Sequence, residues 1–354
     1  MKHLKKGDQI AIVSLSSGIL GEKYLTKQRE LGIKNIKELG LKPIFMPNSL
    51  KGISFIENNP EGRANDLKMA FYNHSIKAIL CAIGGFDTYK VLPYLFEDKH
   101  FISYVKRHPK IFLGYSDSTI NHLFFNKIGL KTYYGINFLV DFAEHEGNIL
   151  PFTKKNIENL FTKQKKLEIT SSNIWYEDRK DYSEAQIGIP RISHIDNKGF
   201  QILRGDGIIS GKLLGGCLES LYSIIDINAS IDKKEIFEKY SIFPKIKNWK
   251  NKIMFIETAE TKSSIDLYKR MIKSFKEMGV FKVIKGLIVG KPIDETYYEE
   301  YKEILLEETK EYNLPIIYNL NFGHALPHII LPYCRKIKIN LDTKKIILPY
   351  GLFG

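Results

Sequence analysis

The stretch "KIFLGYSDSTINHLFFNKIGLKTYYGINF", residues 110–138, reads as strand, polar turn, helix and strand. An apolar run stops at Gly114, a short polar group follows, and apolar residues return at helical spacing in Ile120, Leu123 and Phe124. The same alternation runs upstream. "QIAIVSLSS" is a strand ending in small polar residues, and "EKYLTKQRELGIKNIKELG" has helical periodicity with Gly40 as its stop. "KPIFMP" and "KAILCAIGG" read as strands, and "EGRANDLKMAFYNHSI" and "TYKVLPYL" as helices. Strand and helix repeated in this way imply parallel pairing and a doubly wound α/β sheet. Such sheets bind ligands beyond the carboxyl ends of their strands. "SLSSG", "AIGGFD" and "GYSDS" all fall at those ends, so three small-residue loops are expected on one rim.

The pattern changes near residue 150. "PFTKKNIENLFTKQKKLEIT" is a polar helix leading into a connector, and the segment from "SSNIWYEDRK" to "GKLLGG" is mixed, Gly-rich and strand-like. Alternation then resumes, with "KIMFIET", "VIKGLIVGK" and "PIIYNLNFGH" as strands. The expectation is an N-terminal α/β domain over 1–150 with a mostly parallel sheet, a connector over 151–180, and a C-terminal α/β domain over 181–354. The second domain is expected to hold a mixed, barrel-like sheet.

Bulk composition narrows the function classes. The 354 residues are 44% hydrophobic and 26% charged, ordinary for a globular protein of one or two domains. The formal charge of +13 comes from lysines scattered along the whole chain, without an Arg-rich stripe or zinc-finger spacing. It therefore reads as a basic solvated surface, not a nucleic-acid site. Cys81, Cys217 and Cys334 are too few and too far apart for a disulfide framework or a CxxC metal site. No metal or cofactor is expected. No stretch approaches the roughly 20 apolar residues of a membrane span. The apolar run in "MKHLKKGDQIAIVSLSSG" is too short for a signal peptide and reads as a first strand, which makes the cytoplasm the expected compartment.

Three polar residues stand at strand ends: Ser116 after "KIFLGY", Glu257 after "KIMFI" and His324 after "PIIYNLNFG". A serine hydroxyl is a weak nucleophile that needs a base, a histidine can take its proton, and a carboxylate can fix the imidazole tautomer. Each residue also has a plain reading. Ser116 or Ser118 suits a helix N-cap, Glu257 a helix-start acid, and His324 a satisfied core histidine. Spacing alone leaves both readings open.

The motifs in order, "GDQIAIVSLSSG", "RANDLKMAFYNHSIKAILCAIGG", "GYSDST", "GKLLGGCLESL", "IMFIET", "VIKGLIVGK" and "FGHALPHIILPY", resemble the LD-carboxypeptidase family of serine peptidases nearly end to end. Within it they are similar to the microcin C self-immunity clade. The resemblance implies Ser116 as nucleophile, His324 as general base and Glu257 as its orienting acid. It also implies the backbone N–H groups of Gly85 and Asp117 as oxyanion donors, and a homodimer. The GxSxG elbow of lipases is absent, because Ser118 stands at its fifth position.

Two substrates are open within that resemblance: a murein tetrapeptide cut at its L,D bond, or an amide joining an aminoacyl group to a nucleotide-like adenosine compound. "AIGGFDTYKVLPYL" and the insertion "SSNIWYEDRKDYSEAQIGIPR" look more like the second branch. Trp175 in that insertion suits either stacking on a nucleobase or packing at a domain interface. Cys217 stands where the family pattern has Asn, and Asp87 where a small residue is typical. A non-catalytic nucleotide-binding module is the reading from another class, and the absence of GxGxxG or Walker spacing counts against it.

Overall fold

A computed structural model describes residues 2–354. The first five strands are β1 (Gln9–Val13), β2 (Lys42–Phe45), β3 (Ile76–Cys81), β4 (Ile111–Gly114) and β5 (Tyr133–Tyr134). Then come β6 (Leu167–Ile169), β7 (Ile174–Tyr176), β8 (Ser193–Ile195), β9 (Gln201–Arg204), β10 (Ile208–Cys217), β11 (Lys252–Glu257), β12 (Gly286–Gly290) and β13 (Ile316–Leu320). The last three are β14 (Leu331–Pro332), β15 (Lys336–Asn340) and β16 (Lys345–Leu348).

One sheet has the order β14-β5-β4-β3-β1-β2, parallel throughout except for β14. Its inner strands β1, β3 and β4 are near-continuous apolar runs because both faces are covered, and every residue of β4 is buried. The edge strand β2 is exposed or half-buried throughout. The strand order reverses between β1 and β3, which places a crevice where their carboxyl ends diverge.

The other sheet has the order β6-β16-β15-β10-β11-β12-β13-β9 and is mixed. Its centre, β10 to β13, is parallel, and its flanks are antiparallel. The flanking β15 alternates exposed lysines with buried isoleucines, as a half-wet antiparallel strand does. The sheet is open. The barrel-like closure expected from the sequence is absent, because the end strands β6 and β9 are short and do not pair with each other. The segment expected as a connector supplies β6 and β7, while β14 crosses back to extend the first sheet.

Other departures are local. "KTYYGINF" keeps strand pairing only at Tyr133 and Tyr134, since the Asn137 side chain accepts the Val140 N–H and opens a wide helical turn, Phe138–Phe142. Among the described residues no helix is long and apolar enough to cross a membrane.

The inner turn of β10 depends on "GG". A Cβ on Gly215 would overlap the Phe255 carbonyl oxygen of β11, and one on Gly216 would strike the Thr119 side chain of the first domain. Gly215→Ala is therefore expected to destabilise the protein by about 2 kcal/mol or more, as overpacking against backbone does. Thermal or urea unfolding checks this, with an unchanged midpoint as the contrary result.

Candidate active site

Strand β4 delivers Ser116 on a sharp turn. Its φ is 63°, in the left-handed region, and residues Ser116–Ser118 form one tight turn before the helix Thr119–Ile128. Side-chain capping is absent: Ser118 is the N-cap of that helix but makes no cap hydrogen bond. The Ser116 N–H instead donates to the Tyr134 hydroxyl of β5 at 3.2 Å.

The second sheet supplies the other groups. Glu257 ends β11, and His324 follows β13 on the "NFGH" turn. His324 Nε2 lies 3.0 Å from Ser116 Oγ, and His324 Nδ1 lies 2.7 Å from Glu257 Oε2. The His324 backbone N–H donates to the same carboxylate oxygen at 3.2 Å, and Tyr134 donates to its other oxygen at 2.5 Å. With Nδ1–H committed to Glu257, Nε2 faces the serine. Glu257 and its tyrosine partner are buried, and burial followed by the Glu257 charge raises the Tyr134 hydroxyl well above its ordinary range.

The loops after β1 and β3 close around Ser116. Gly84 and Gly85 lie so near that a Cβ on Gly84 would sit 2.6 Å from the serine Cβ, and one on Gly85 would strike Ser16. The Asp117 carboxylate is turned away from the helix. It accepts the Ser16 hydroxyl at 2.7 Å and the Thr88 N–H at 2.9 Å, joining all three rim loops. Burial pushes its pKa up, and these two bonds oppose the rise. Asp87 pairs with buried Arg63 at 2.7 Å and with Lys90 at 3.2 Å, so it anchors the loop. Cys217 is buried, its thiol directed at Glu219, and burial with the Glu257 and Glu219 charges keeps it protonated.

These loops wall a cleft of about 890 Å³ whose lining includes Ser16, Gly85, Phe86, Ser116, Tyr182 and His324. The segment carrying β7 and β8 roofs it. Arg179 and Arg191 from this segment converge on buried Glu144 at 3.1 and 2.7 Å, which pins the roof to the first domain. Trp175 stands off the cleft lining. Its ring stacks on His194 at 4.3 Å with Lys291 Nζ 5.2 Å from its centroid.

Sequence reasoning missed Glu260, three residues beyond Glu257, whose Oε2 lies 2.9 Å from His324 Nε2. It missed Tyr134 as well. Neither stands directly at the end of a long apolar run, the signal that picked out the other three. Among the described residues no cluster of three or more His, Cys, Asp or Glu side chains is arranged to hold a metal ion.

A serine, an imidazole and a buried carboxylate in this register can carry out acyl transfer. The chain's own matches agree with that class. The LD-carboxypeptidase N-terminal domain model matches residues 10–135 and the LD-carboxypeptidase C-terminal domain model residues 210–339. The chain belongs to the LD-carboxypeptidase family and is a serine peptidase. It is similar to an MccF-like protein from Streptococcus pneumoniae, whose crystal structure is in complex with AMP, at 46% identity and a TM-score of 0.92, over 97% of this chain and 99% of that one. It is also similar to an MccF-like protein from Bacillus anthracis, at 28% identity and a TM-score of 0.81, over 98% of both chains. The Microcin C7 self-immunity protein MccF of Escherichia coli is 25% identical over 322 residues, 89% of this chain and 86% of that protein.

Burial lowers the His324 pKa, but the carboxylates of Glu257 and Glu260 outweigh it and hold the imidazole well above its usual value. His122 is the internal contrast. It is buried beneath Gly114, and burial drops it to about 4. An NMR titration is expected to show His324 still protonated where an ordinary histidine is half neutral, and His122 neutral throughout. Glu260→Gln should lower the His324 midpoint, and an unchanged midpoint would contradict the arrangement.

Proposed function

We propose that this peptidase cleaves the amide joining an aminoacyl group to a nucleotide-like leaving group, with Ser116 as nucleophile, His324 as base and Glu257 as the acid that orients it. The observation that carries the reading is the unbroken chain of short contacts from Ser116 Oγ through the imidazole to Glu257, set in a cleft at the sheet's crevice. The AMP held by the 46%-identical Streptococcus pneumoniae relative supports an adenosine-type leaving group.

In the proposed reaction His324 Nε2 takes the Ser116 proton as Oγ attacks the scissile carbonyl. The tetrahedral oxyanion is received by the backbone N–H groups of Gly85 and Asp117, donors that need no reorganisation as charge develops. His324 then gives its proton to the departing nitrogen. Water, deprotonated by the same imidazole, attacks the acyl-serine and returns the free hydroxyl. Tyr134 assists at both ends, holding Glu257 and accepting the N–H of Ser116. Three free cysteines suit a reducing compartment, and we place the reaction in the cytoplasm.

Mass spectrometry of an aminoacyl sulfamoyl adenosine incubated with the protein is expected to show release of the amino acid. Ser116→Ala should slow that release by roughly four orders of magnitude or more, since members of such a triad act as a unit. Loss of D-alanine from a murein tetrapeptide, with the adenosine compound left intact, would overturn the substrate.

The base must be neutral to act. Because His324 holds its proton to an unusually high pH, kcat/KM is expected to rise with pH and to reach half its plateau above the ordinary imidazole range. A half-plateau below that range would count against His324 as the base.

A further inference from the structure

Resting on the catalytic reading above, we propose that Glu260 selects acyl groups bearing a cation beside the scissile carbonyl, and that pairing with this cation releases His324 to serve Ser116. The geometry presents a conflict. His324 Nε2 has two neighbours at nearly the same distance, Ser116 Oγ at 3.0 Å and Glu260 Oε2 at 2.9 Å. One ring nitrogen cannot donate to a carboxylate and accept a hydroxyl proton together. With Nδ1–H held by Glu257, an Nε2–H given to Glu260 completes an imidazolium clamped between two carboxylates. In that form the ring cannot act as a base.

The groups packed around the ring reinforce this resting state. Glu257 and Glu260 are the charged ones. Tyr115, whose ring lies edge-on at 5.1 Å, and Tyr134, bonded to Glu257, stay neutral hydroxyls because burial raises both. Glu260 differs from Glu257 in one respect. Its side chain is 50% exposed and lines the cleft, whereas that of Glu257 is fully enclosed. Glu260 can therefore turn to a ligand.

Charge accounting in the cleft identifies that ligand. The cationic lining residues are committed, Lys90 to Asp87 and Arg191 to Glu144. Glu57, Asp178 and Glu260 line the same space and, among the described residues, pair with no lysine or arginine. An acyl group entering beside Ser116 thus meets a carboxylate, and an α-ammonium or a short basic side chain satisfies it. When Glu260 turns to that cation, Nε2 gives its proton to water and its lone pair becomes available to the serine hydroxyl.

The test compares the para-nitrophenyl esters of L-alanine and N-acetyl-L-alanine near neutral pH, where the free α-amine is largely an ammonium. These activated esters report on the acyl side whatever the natural leaving group is, and the rate of Ser116→Ala is subtracted. The wild type is expected to prefer the free-amine ester in kcat/KM by about tenfold or more, the scale of one charge-assisted hydrogen bond. In Glu260→Gln the preference should shrink to about twofold or less, because a neutral amide lacks the charge for such a bond. Ser116-dependent turnover with no preference in the wild type, or with the same preference in Glu260→Gln, overturns the role of Glu260 and leaves the catalytic reading standing. Absence of Ser116-dependent turnover of either ester overturns the catalytic reading, and this inference with it.

Discussion

The site is organised by one buried carboxylate. Glu257 is 1% exposed at the end of a central strand, and an ionised group there is tolerable only if its oxygens are hydrogen-bonded. Its three donors are the Tyr134 hydroxyl of the first sheet and the backbone N–H and imidazole of His324 from the second. Satisfying Glu257 therefore fixes the tyrosine that supports Ser116, the turn that carries His324, and the seam between the sheets. The geometry of the proposed triad and the packing of the two sheets share these bonds.

Close backbone approach makes that seam possible. Gly215 and Gly216 let β10 lie against β11 and against Thr119 at the start of the helix that follows Ser116, and the Thr119 hydroxyl accepts the Cys217 N–H at 3.0 Å. Across the crevice, Asp117 joins the loops after β1 and β3 to the turn holding the serine. The Glu144 carboxylate, shared by two arginines, fastens the roof. These contacts fix the floor of the cleft and the seam behind it. Glu260 is its half-exposed charged wall.

Much of the fold was legible because its signals are local. Unbroken apolar runs such as "IAIV" and "AILC" mark strands covered on both faces, and the alternation in "KIKIN" marks one half-exposed antiparallel strand. The small-residue loops at the ends of β1, β3 and β4 do line one cleft. Ser116, Glu257 and His324 stood out because each terminates or closely follows such a run, and they lie within hydrogen-bond reach of one another. Glu260, Tyr134 and the inward turn of the Asp117 carboxylate carried no comparable mark. The Ser118 side chain makes no cap hydrogen bond, and the Asp117 carboxylate beside it bonds to groups 101 and 29 residues away along the chain.

The sequence by itself determined the strand–helix alternation, the parallel first sheet and the positions where chemistry-bearing residues leave their strands. Those features follow from backbone periodicity and from which residues can be buried. The tertiary structure alone decided that the second sheet stays open, that β14 returns to the first sheet, that Trp175 packs on His194 beside the cleft lining, and that His324 sits between two carboxylates. Each of these depends on pairings across long stretches of chain, where a shift of an ångström decides which hydrogen bond forms, and no local pattern encodes such a distance.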